Sequence, residues 1–334
     1  MEVSRRVLLT GAATAATAAT MTLASSGSSL AQDKGSPPSS QQGPGIYRHK
    51  IGDILMTCVT DGANSFPRSE GFVSNVRPED VAAALEAAFL PVDQITLTFT
   101  PVVLETSGRV VVVDTGLGEA AFKSSKGVGG QFHTNLNTAG YDAKSVDQVV
   151  ISHFHADHIG GLITEDGKAA FPNSEILVPA AEYAFWLDSG NASRAATSVV
   201  QANFERAKRV MGILGSSVKQ FDAGVEVVPG VTSIATPGHT PGHTSFIINS
   251  AGEKAIIQAD ATTHPNLFAE RPGWHGWSDM DPDLAEQSRR KLYDLAASEK
   301  ILIQAFHFSF PTLGHVAKQG TDYRFTPIHW NPVV

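Results

Sequence analysis

The stretch that decides the fold is Val149-Val150-Ile151-Ser152-His153-Phe154-His155-Ala156-Asp157-His158-Ile159-Gly160-Gly161, where four metal-capable side chains directly follow an apolar strand. Alternate side chains of an extended segment face the same way, so His153 and His155 are predicted to point together. A turn or short helix beginning at Ala156 would bring Asp157 and His158 beside them. A helix cap with polar loop residues is the simpler alternative, but this density of ligands favours a site for two divalent metals.

Motifs elsewhere in the chain agree with a known pattern. The quoted stretch resembles the metal motif of the metallo-β-lactamase superfamily, and residues 110–116 resemble the strand and turn that precede it. Residues 236–244 resemble the later loop that supplies the next histidine. Asp260 and His307, each behind an apolar run, occupy the positions of the metal-bridging carboxylate and the last ligand. The tail over residues 306–325 is most similar to that of the methyl parathion hydrolase-like secreted members.

The resemblance implies a fold class and a metal site. The fold would be the α/β (α+β) metallo-β-lactamase sandwich, with four layers in the order αββα and the metals at one edge. Two divalent ions are expected, and imidazole and carboxylate donors favour zinc over manganese, cobalt or iron. A metal-bridging hydroxide would be the nucleophile, with Asp260 and Asp157 as catalytic carboxylates. The implied ligands are His153, His155 and His239 for one metal, Asp157, His158 and His307 for the other, and Asp260 for both.

Spacing decides between neighbouring histidines at two of these positions. Asp260 follows His239 by 21 residues (260 − 239), which matches the family pattern and favours His239 over His243. His307 follows Asp260 by 47 residues (307 − 260), which favours His307 over His315. His243 is therefore expected to support or pack against the ligand loop.

The carboxylate at Asp260 also separates the branches of the superfamily. It favours a dinuclear hydrolase of phosphotriester or carboxylic ester and lactone bonds in small apolar substrates, because true β-lactamases lack this carboxylate. An acyl-lactone lactonase of the quorum-quenching type is the alternative, although lactonases often carry a tyrosine where this chain has Thr263. A β-lactamase, a non-catalytic metal-binding protein and a mononuclear iron dioxygenase are weaker alternatives.

Aromatic side chains are expected to line the substrate pocket. Phe122, Trp186 and Phe204 lie roughly where the similar hydrolases have their pocket aromatics, and core packing is the alternative for each. Residues 263–279, which include Phe268, are bulkier and more aromatic than the counterpart loop. The leaving-group side of the pocket is therefore expected to differ from that of the similar hydrolases.

Composition limits the partners of the protein. Of its 334 residues 42% are hydrophobic, which is enough for a sizeable core. The formal net charge is −8 and no dense Lys/Arg run is present, so a small-molecule substrate is expected and nucleic acid is not. The single cysteine, Cys58, lies in an apolar run and is predicted to be a buried hydrophobe. The sequence is compatible with both a monomer and a homodimer.

The N-terminal residues indicate export. Residues 1–31 combine Arg5 and Arg6 with an uncharged Ala/Thr-rich run and end in Ser29-Leu30-Ala31, a pattern that resembles a twin-arginine signal. A periplasmic or secreted location is expected, with no stable membrane span after signal removal; a retained anchor is the alternative. Residues 32–45 are predicted to be a flexible linker, and residues 46–334 the hydrolase domain.

Periodicity predicts most of the regular elements. Strands are expected at residues 54–60, 95–100, 102–105, 110–113 and 301–303, and four strand-like runs between residues 226 and 257 predict a second sheet. One helix is expected to begin at Pro78, with Phe89 on its buried face. Two more helices are expected, over residues 199–214 and from Asp281 to about residue 298.

Overall fold

The strands form where β-branched and aromatic residues are concentrated. The computed structural model describes residues 42–334, so the predicted signal at residues 1–31 and most of the predicted linker lie outside the described residues. The described strands are β1 (Ile46–Ile51), β2 (Ile54–Val59), β3 (Gly62–Pro67), β4 (Gln94–Phe99), β5 (Val102–Thr106), β6 (Arg109–Val113), β7 (Gln148–Val150), β8 (Glu175–Pro179), β9 (Val218–Phe221), β10 (Glu226–Val228), β11 (Val231–Ala235), β12 (Thr244–Ser250), β13 (Glu253–Ile257), β14 (Leu302–Gln304), β15 (Leu313–Gln319) and β16 (Asp322–Pro327).

Eight α-helices connect these strands within residues 42–334. The two longest begin with strong caps: Thr197 accepts the N–H of Val200 ahead of α7, and Asp281 accepts the N–H of Leu284 ahead of α8. The helices are α1 (Pro78–Ala87), α2 (Glu119–Ser124), α3 (Phe132–Thr138), α4 (Ala156–Ile159), α5 (Ala180–Leu187), α6 (Ser189–Ser193), α7 (Ser198–Leu214) and α8 (Pro282–Glu299). None of the described helices has both the length and the apolar character needed to cross a bilayer.

Two large sheets stack face to face between layers of helices. The first has the strand order β1-β2-β5-β6-β7-β8-β9 and the second β10-β11-β12-β13-β14-β15-β16. Val111 of β6 packs in one cluster with Ile257 of β13, which fills the space between the sheets. The next residues along these strands face outward: Val112 packs toward α3, α5 and α7, and Ile256 packs toward α8. The layers therefore follow the αββα order that the resemblance implies.

The predicted ligands meet at one edge of this sandwich because of strand direction. Strands β6 and β7 run parallel in the first sheet, and β13 and β14 run parallel in the second. The segment containing His153 follows β7, Asp260 follows β13 and His307 follows β14. His239 lies in the turn that connects the paired strands β11 and β12, just ahead of the first residue of β12. Strand β12 also pairs with β13, the strand that precedes Asp260. Carboxyl ends of strands from both sheets thus deliver the site.

Helix α1 is shorter than the sequence predicts. It ends at Ala87, and Phe89 takes a left-handed conformation (φ 59°) in which its ring is 97% exposed. The prediction that Phe89 lies on the buried face is therefore wrong. The N–H groups of Ala88 and Leu90 both return to the carbonyl of Leu85, which closes the helix one turn before Pro91. The strand predicted at residues 301–303 is displaced by one residue, to β14.

Candidate metal centre

The four metal-capable residues behind β7 occupy an extended segment followed by a helical turn. The N–H of Ser152 donates to Oδ1 of Asp114 at 2.8 Å and fixes the start of the segment. His155 is extended (φ −70°, ψ 160°) at the N-terminus of α4. The N–H of His158 then donates to the carbonyl of His155 at 3.1 Å. Because the chain turns here, Asp157 and His158 come back beside the two preceding imidazoles.

The structure brings all seven predicted ligands together in two overlapping clusters. Within each cluster, one candidate ligand atom from every residue lies within 4.8 Å of the others. The first cluster consists of His153, His155, His239 and Asp260. The second cluster consists of Asp157, His158, Asp260 and His307. Asp260 is common to both, which is the arrangement a bridging carboxylate requires.

Asp260 lies at the centre of the two clusters. Its Oδ2 atom is 3.2 Å from Nε2 of His239 in the first cluster and 3.1 Å from Nε2 of His307 in the second. Its Oδ1 atom is 3.3 Å from Nε2 of His158. The backbone N–H of Asp260 donates to Nε2 of His243 at 3.0 Å. A histidine of the neighbouring loop therefore fixes the backbone that carries this carboxylate.

The donor atoms are spaced as the ligands of a divalent ion would be, and two of them are buried without a hydrogen-bond partner among residues 42–334. In the first cluster Nδ1 of His155 lies 3.1 Å from Nε2 of His153 and 2.9 Å from Nε2 of His239. Nitrogens bound at ~2.0–2.1 Å to a tetrahedral zinc are ~3.3 Å apart, close to these distances. Nε2 of His158 and Oδ1 of Asp260 are buried without a hydrogen-bond partner in the described part of the chain. The residues present therefore fit two metal ions.

Most of the ligand imidazoles use their second ring nitrogen in a hydrogen bond. Such a bond places the proton on the second nitrogen and leaves the first free to bind a metal. The acceptors for the Nδ1–H groups are Ser152 Oγ for His153 (3.0 Å), Asp114 Oδ2 for His158 (2.7 Å), Asp279 Oδ1 for His239 (3.0 Å) and the Thr98 carbonyl for His307 (2.9 Å). Asp279 is a residue that the sequence analysis does not single out.

The two rejected histidines lie outside both clusters. His243 is buried, and its Nδ1 is 3.1 Å from the carbonyl of Thr236 at the start of the same loop. Burial lowers the pKa of His243 to about 3, so it stays neutral and can accept the N–H of Asp260. His315 lies on β15 with its side chain on the exposed surface, away from the clustered ligands.

Burial and charge set the protonation of the ligands. Burial lowers the pKa of His153 and His155 well below the ordinary value, which keeps both imidazoles neutral. Burial opposes the charge on Asp260, but the positive neighbours, His307 foremost, hold its pKa well below its usual range. For His239, burial is outweighed by two hydrogen-bonded carboxylates, which raise the pKa to about 9. The carboxylates thus require positive charge at this centre, which protons or bound cations can supply.

Three of the four predicted pocket aromatics are core residues. Trp186 is 1% and Phe204 4% exposed, and their ring centroids lie 4.7 Å apart between α5 and α7. Phe268 is 2% exposed, in a separate cluster under α1. Only Phe122 is open to solvent, at 39%. The expectation that Trp186, Phe204 and Phe268 line an open pocket is corrected, because their apolar spacing turns them into the interior.

A buried glutamate that the sequence analysis missed joins two ligand loops. Oε2 of Glu182, on α5, accepts the N–H of Phe154 at 3.0 Å and the indole N–H of Trp186 at 2.6 Å. Its Oε1 accepts the N–H of Gly242 at 2.8 Å. Phe154 lies between two ligand histidines and Gly242 in the loop of a third. The only available signal was one acidic residue on a helix that is otherwise largely apolar.

Comparison with known proteins agrees with this centre. A family model described as the Metallo-beta-lactamase superfamily matches residues 100–300, more than half of the chain. An N-acyl homoserine lactonase of Bacillus sp is 28% identical over 240 residues, which cover 66% of this chain and 85% of the relative. The N-acyl homoserine lactonase AiiA of Bacillus thuringiensis subsp. kurstaki is 27% identical over 239 residues, with the same 66% and 85% coverage.

Solved structures give the same fold. A structure of "AidC, a Dizinc Quorum-Quenching Lactonase" superimposes with a TM-score of 0.77 at 24% identity, covering 86% of this chain and 99% of that one. A structure of "hydrolase AbOPH in beta lactamase superfamily" has a TM-score of 0.79 at 26% identity, covering 87% and 100%. The predicted fold, a metal-dependent hydrolase and a centre for two metal ions are confirmed. The chain belongs to the metallo-beta-lactamase superfamily.

Proposed function

We propose that this protein hydrolyses N-acyl lactones with two metal ions held by the first and second clusters. The observation that carries the proposal is the complete pair of ligand clusters sharing Asp260, in a chain whose curated relatives are N-acyl homoserine lactonases. From the sequence alone this reaction ranks below phosphotriester hydrolysis, and the relatives favour the reverse order. Zinc is the proposed metal because every donor is an imidazole or a carboxylate.

Asp157 is the residue to which we assign proton transfer. When bound, the ions would activate water and polarise the ester carbonyl. The side chain of Asp157 is 18% exposed, compared with 4% for Asp260, so solvent and substrate can reach it. Its Oδ2 atom lies 3.4 Å from Nε2 of His307, which orients the carboxylate. Asp157 would accept a proton from the attacking water and return it to the alcohol oxygen released when the lactone ring opens.

Asp260 has a different task from Asp157. It is buried, with hydrogen-bonding or charged partners in both clusters and a backbone bond to His243. These contacts leave it no freedom to approach a substrate. We therefore assign Asp260 the role of fixing the distance between the clusters, so that the ester carbonyl and the water are held in one geometry.

The surroundings support a substrate with an apolar chain. Met280 donates its N–H to the carbonyl of His239 and is 37% exposed. Phe310, three residues beyond His307, is 39% exposed. Large apolar side chains next to ligand-bearing segments suit an acyl chain. Thr263 replaces the tyrosine often found in lactonases, so in this proposal no phenol takes part and Asp157 carries the proton alone.

A substrate panel tests the proposal. Zinc-loaded protein would be offered N-hexanoyl homoserine lactone, an aryl acetate and methyl paraoxon, with the His153→Ala variant as control. We expect the highest kcat/KM for the lactone and its loss in the variant. No lactone turnover by the loaded wild type would reject the proposal. Preference for methyl paraoxon would favour the second candidate, phosphotriester hydrolysis, which rests on the resemblance of residues 306–325 to methyl parathion hydrolase-like proteins.

We also propose that the protein is exported through its twin-arginine-like N-terminus to the periplasm or the medium. The proposal rests on Arg5 and Arg6 ahead of an uncharged run. Replacing both arginines by lysine should retain the protein in the cytoplasm, and cell fractionation followed by immunoblotting would detect this. An unchanged distribution would contradict the export route.

A further inference from the structure

Asp279 is a buried carboxylate that belongs to neither ligand cluster. It lies just ahead of α8, at the end of the aromatic segment, residues 263–279, and its side chain is 5% exposed. Oδ1 accepts the Nδ1–H of His239 at 3.0 Å, and Oδ2 accepts from Nη2 of Arg289 at 3.2 Å. The carboxylate therefore has one oxygen on a ligand histidine and the other on a guanidinium.

The contact with Asp279 determines which ring nitrogen of His239 faces the first cluster. Nε2 of His239 faces Nδ1 of His155 at 2.9 Å and Oδ2 of Asp260 at 3.2 Å, toward the centre of the first cluster. With its Nδ1–H held by the carboxylate, the ring is fixed in the orientation that presents Nε2 to the metal position, and a bound metal would take the place of any proton on Nε2. Two backbone bonds fix the same junction: Met280 N–H to the carbonyl of His239, and Asp281 N–H to the carbonyl of Gly238.

Arg289, in turn, fixes Asp279. The arginine is only 2% exposed on α8, and its charge would be costly there without partners. Its Nε donates to the carbonyl of Ala261, the residue after Asp260, at 3.0 Å. Its Nη1 donates to the carbonyls of Pro272 and Trp274, at 2.8 and 3.2 Å. One guanidinium thus connects the aromatic segment, the chain beside the bridging carboxylate, and Asp279.

We propose that Asp279 is a positioning residue for His239 and that Arg289 holds it in place, so that the aromatic segment selectively sets the affinity of the first cluster for its metal. The second cluster has its own carboxylate, Asp114, on the Nδ1–H of His158 at 2.7 Å. His239 and His158 would then be oriented by two different carboxylates, Asp279 and Asp114. This inference goes beyond the proposed function, since it holds whichever ester the protein hydrolyses.

Metal affinity, measured without any substrate, tests the inference. The Asp279→Asn variant would be titrated with Co²⁺ and Zn²⁺ by chelator competition, together with Asp283→Asn, whose carboxylate is 86% exposed, as matched control. We expect about 10- to 100-fold weaker binding of one ion and unchanged binding of the other. Co²⁺ absorption spectra of His155→Ala and His307→Ala, which lack one donor of the first or second cluster, identify which ion is affected.

The outcomes separate the alternatives. Selective weakening of the ion that His155→Ala also loses supports the inference, and Asp283→Asn should bind both ions as the wild type does. Wild-type affinity for both ions in Asp279→Asn, or equal weakening of both, would overturn it. If Asp279→Asn does not fold, Arg289→Lys, which keeps the charge but loses the fork of donors, must show the same selectivity with a smaller change. Absence of lactone turnover in the wild type would leave these results intact.

Discussion

The N–H of Phe154 donates to Oε2 of Glu182 at 3.0 Å, and this bond ties the loop of the first two ligand histidines to helix α5. Replacing Glu182 by alanine would leave the N–H groups of Phe154 and Gly242 and the indole N–H of Trp186 buried without an acceptor. Because each unsatisfied donor costs ~1–3 kcal/mol, we expect a loss of at least ~3 kcal/mol in the free energy of unfolding. Urea denaturation of the metal-loaded protein measures it.

The exposed Glu205 of α7 provides the control for this variant. Glu205→Ala should change the free energy of unfolding by less than ~0.5 kcal/mol. Equal, small effects of the two substitutions would show that the bonds of Glu182 do not stabilise the ligand loops.

Removal of the shared carboxylate should cost both metals at once. We expect Asp260→Asn to retain neither ion after dialysis, whereas His155→Ala and His307→Ala each retain one, because only Asp260 belongs to both clusters. The rate of ester hydrolysis should fall by at least ~10²–10³-fold in Asp260→Asn. Metal-to-protein ratios by elemental analysis check the first part. Retention of one ion at full occupancy would contradict the bridging role.

The buried aromatics and the exposed one should respond differently to truncation. Trp186→Ala would open a cavity between α5 and α7 and is expected to lower the free energy of unfolding by ~3–5 kcal/mol. Phe122→Ala, at a ring already 39% exposed, should cost less than ~1 kcal/mol and change KM instead. Denaturation and steady-state kinetics of both variants distinguish them. A stable Trp186→Ala protein with raised KM would return Trp186 to the substrate pocket.

His264 should make folding stability depend on pH. Burial lowers its pKa from 6.5 to about 4, and its Nδ1 accepts the N–H of Leu267. The unfolded chain therefore binds more protons as the pH falls below 6.5, and stability that is present above that pH is lost down to about 4. At pH 5 the loss should be ~2 kcal/mol relative to pH 7.5.

The His264→Asn variant tests that pH dependence, because its amide oxygen can still accept the N–H of Leu267. The variant should lose less stability between pH 7.5 and pH 5 than the wild type does, by the same ~2 kcal/mol, since the metal ligands titrate in both proteins. Unfolding free energies of the two metal-loaded proteins at both pH values give this comparison. Identical pH profiles would mean that His264 is not held neutral by burial.

The parts of the site that the sequence predicts are those encoded locally or by spacing. His153 to His158 are adjacent in the chain, and the strand ahead of them fixes their direction. His239 and His307 follow from the resemblance to the superfamily, whose ligand spacing matches their distances to Asp260. The supporting residues have no such signal: Asp279 reaches His239 across 40 residues, and only the packed fold decides which acidic side chain turns inward.

The misplaced aromatics have a physical explanation of the same kind. Trp186 and Phe204 lie on helices whose apolar faces are equally compatible with a ligand pocket and with the core. The choice depends on how α5 and α7 pack on the first sheet. Phe89 fits the helical period, but the bonds to the carbonyl of Leu85 end the helix at Ala87, before Phe89 can turn inward. Periodicity alone predicts neither the packing of α5 and α7 nor the early end of α1.

Each cluster draws its side chains from both sheets, since His153 and His158 follow β7 whereas His239, Asp260 and His307 come from the second sheet. Bound cations would therefore cross-link the two halves of the sandwich at the seam where the N–H of Thr244, at the start of β12, also bonds to the carbonyl of Ser152 behind β7. Chelation would leave each sheet intact and loosen only that seam. Amide hydrogens in residues 236–243 should then exchange faster, well before those of β6 or β13.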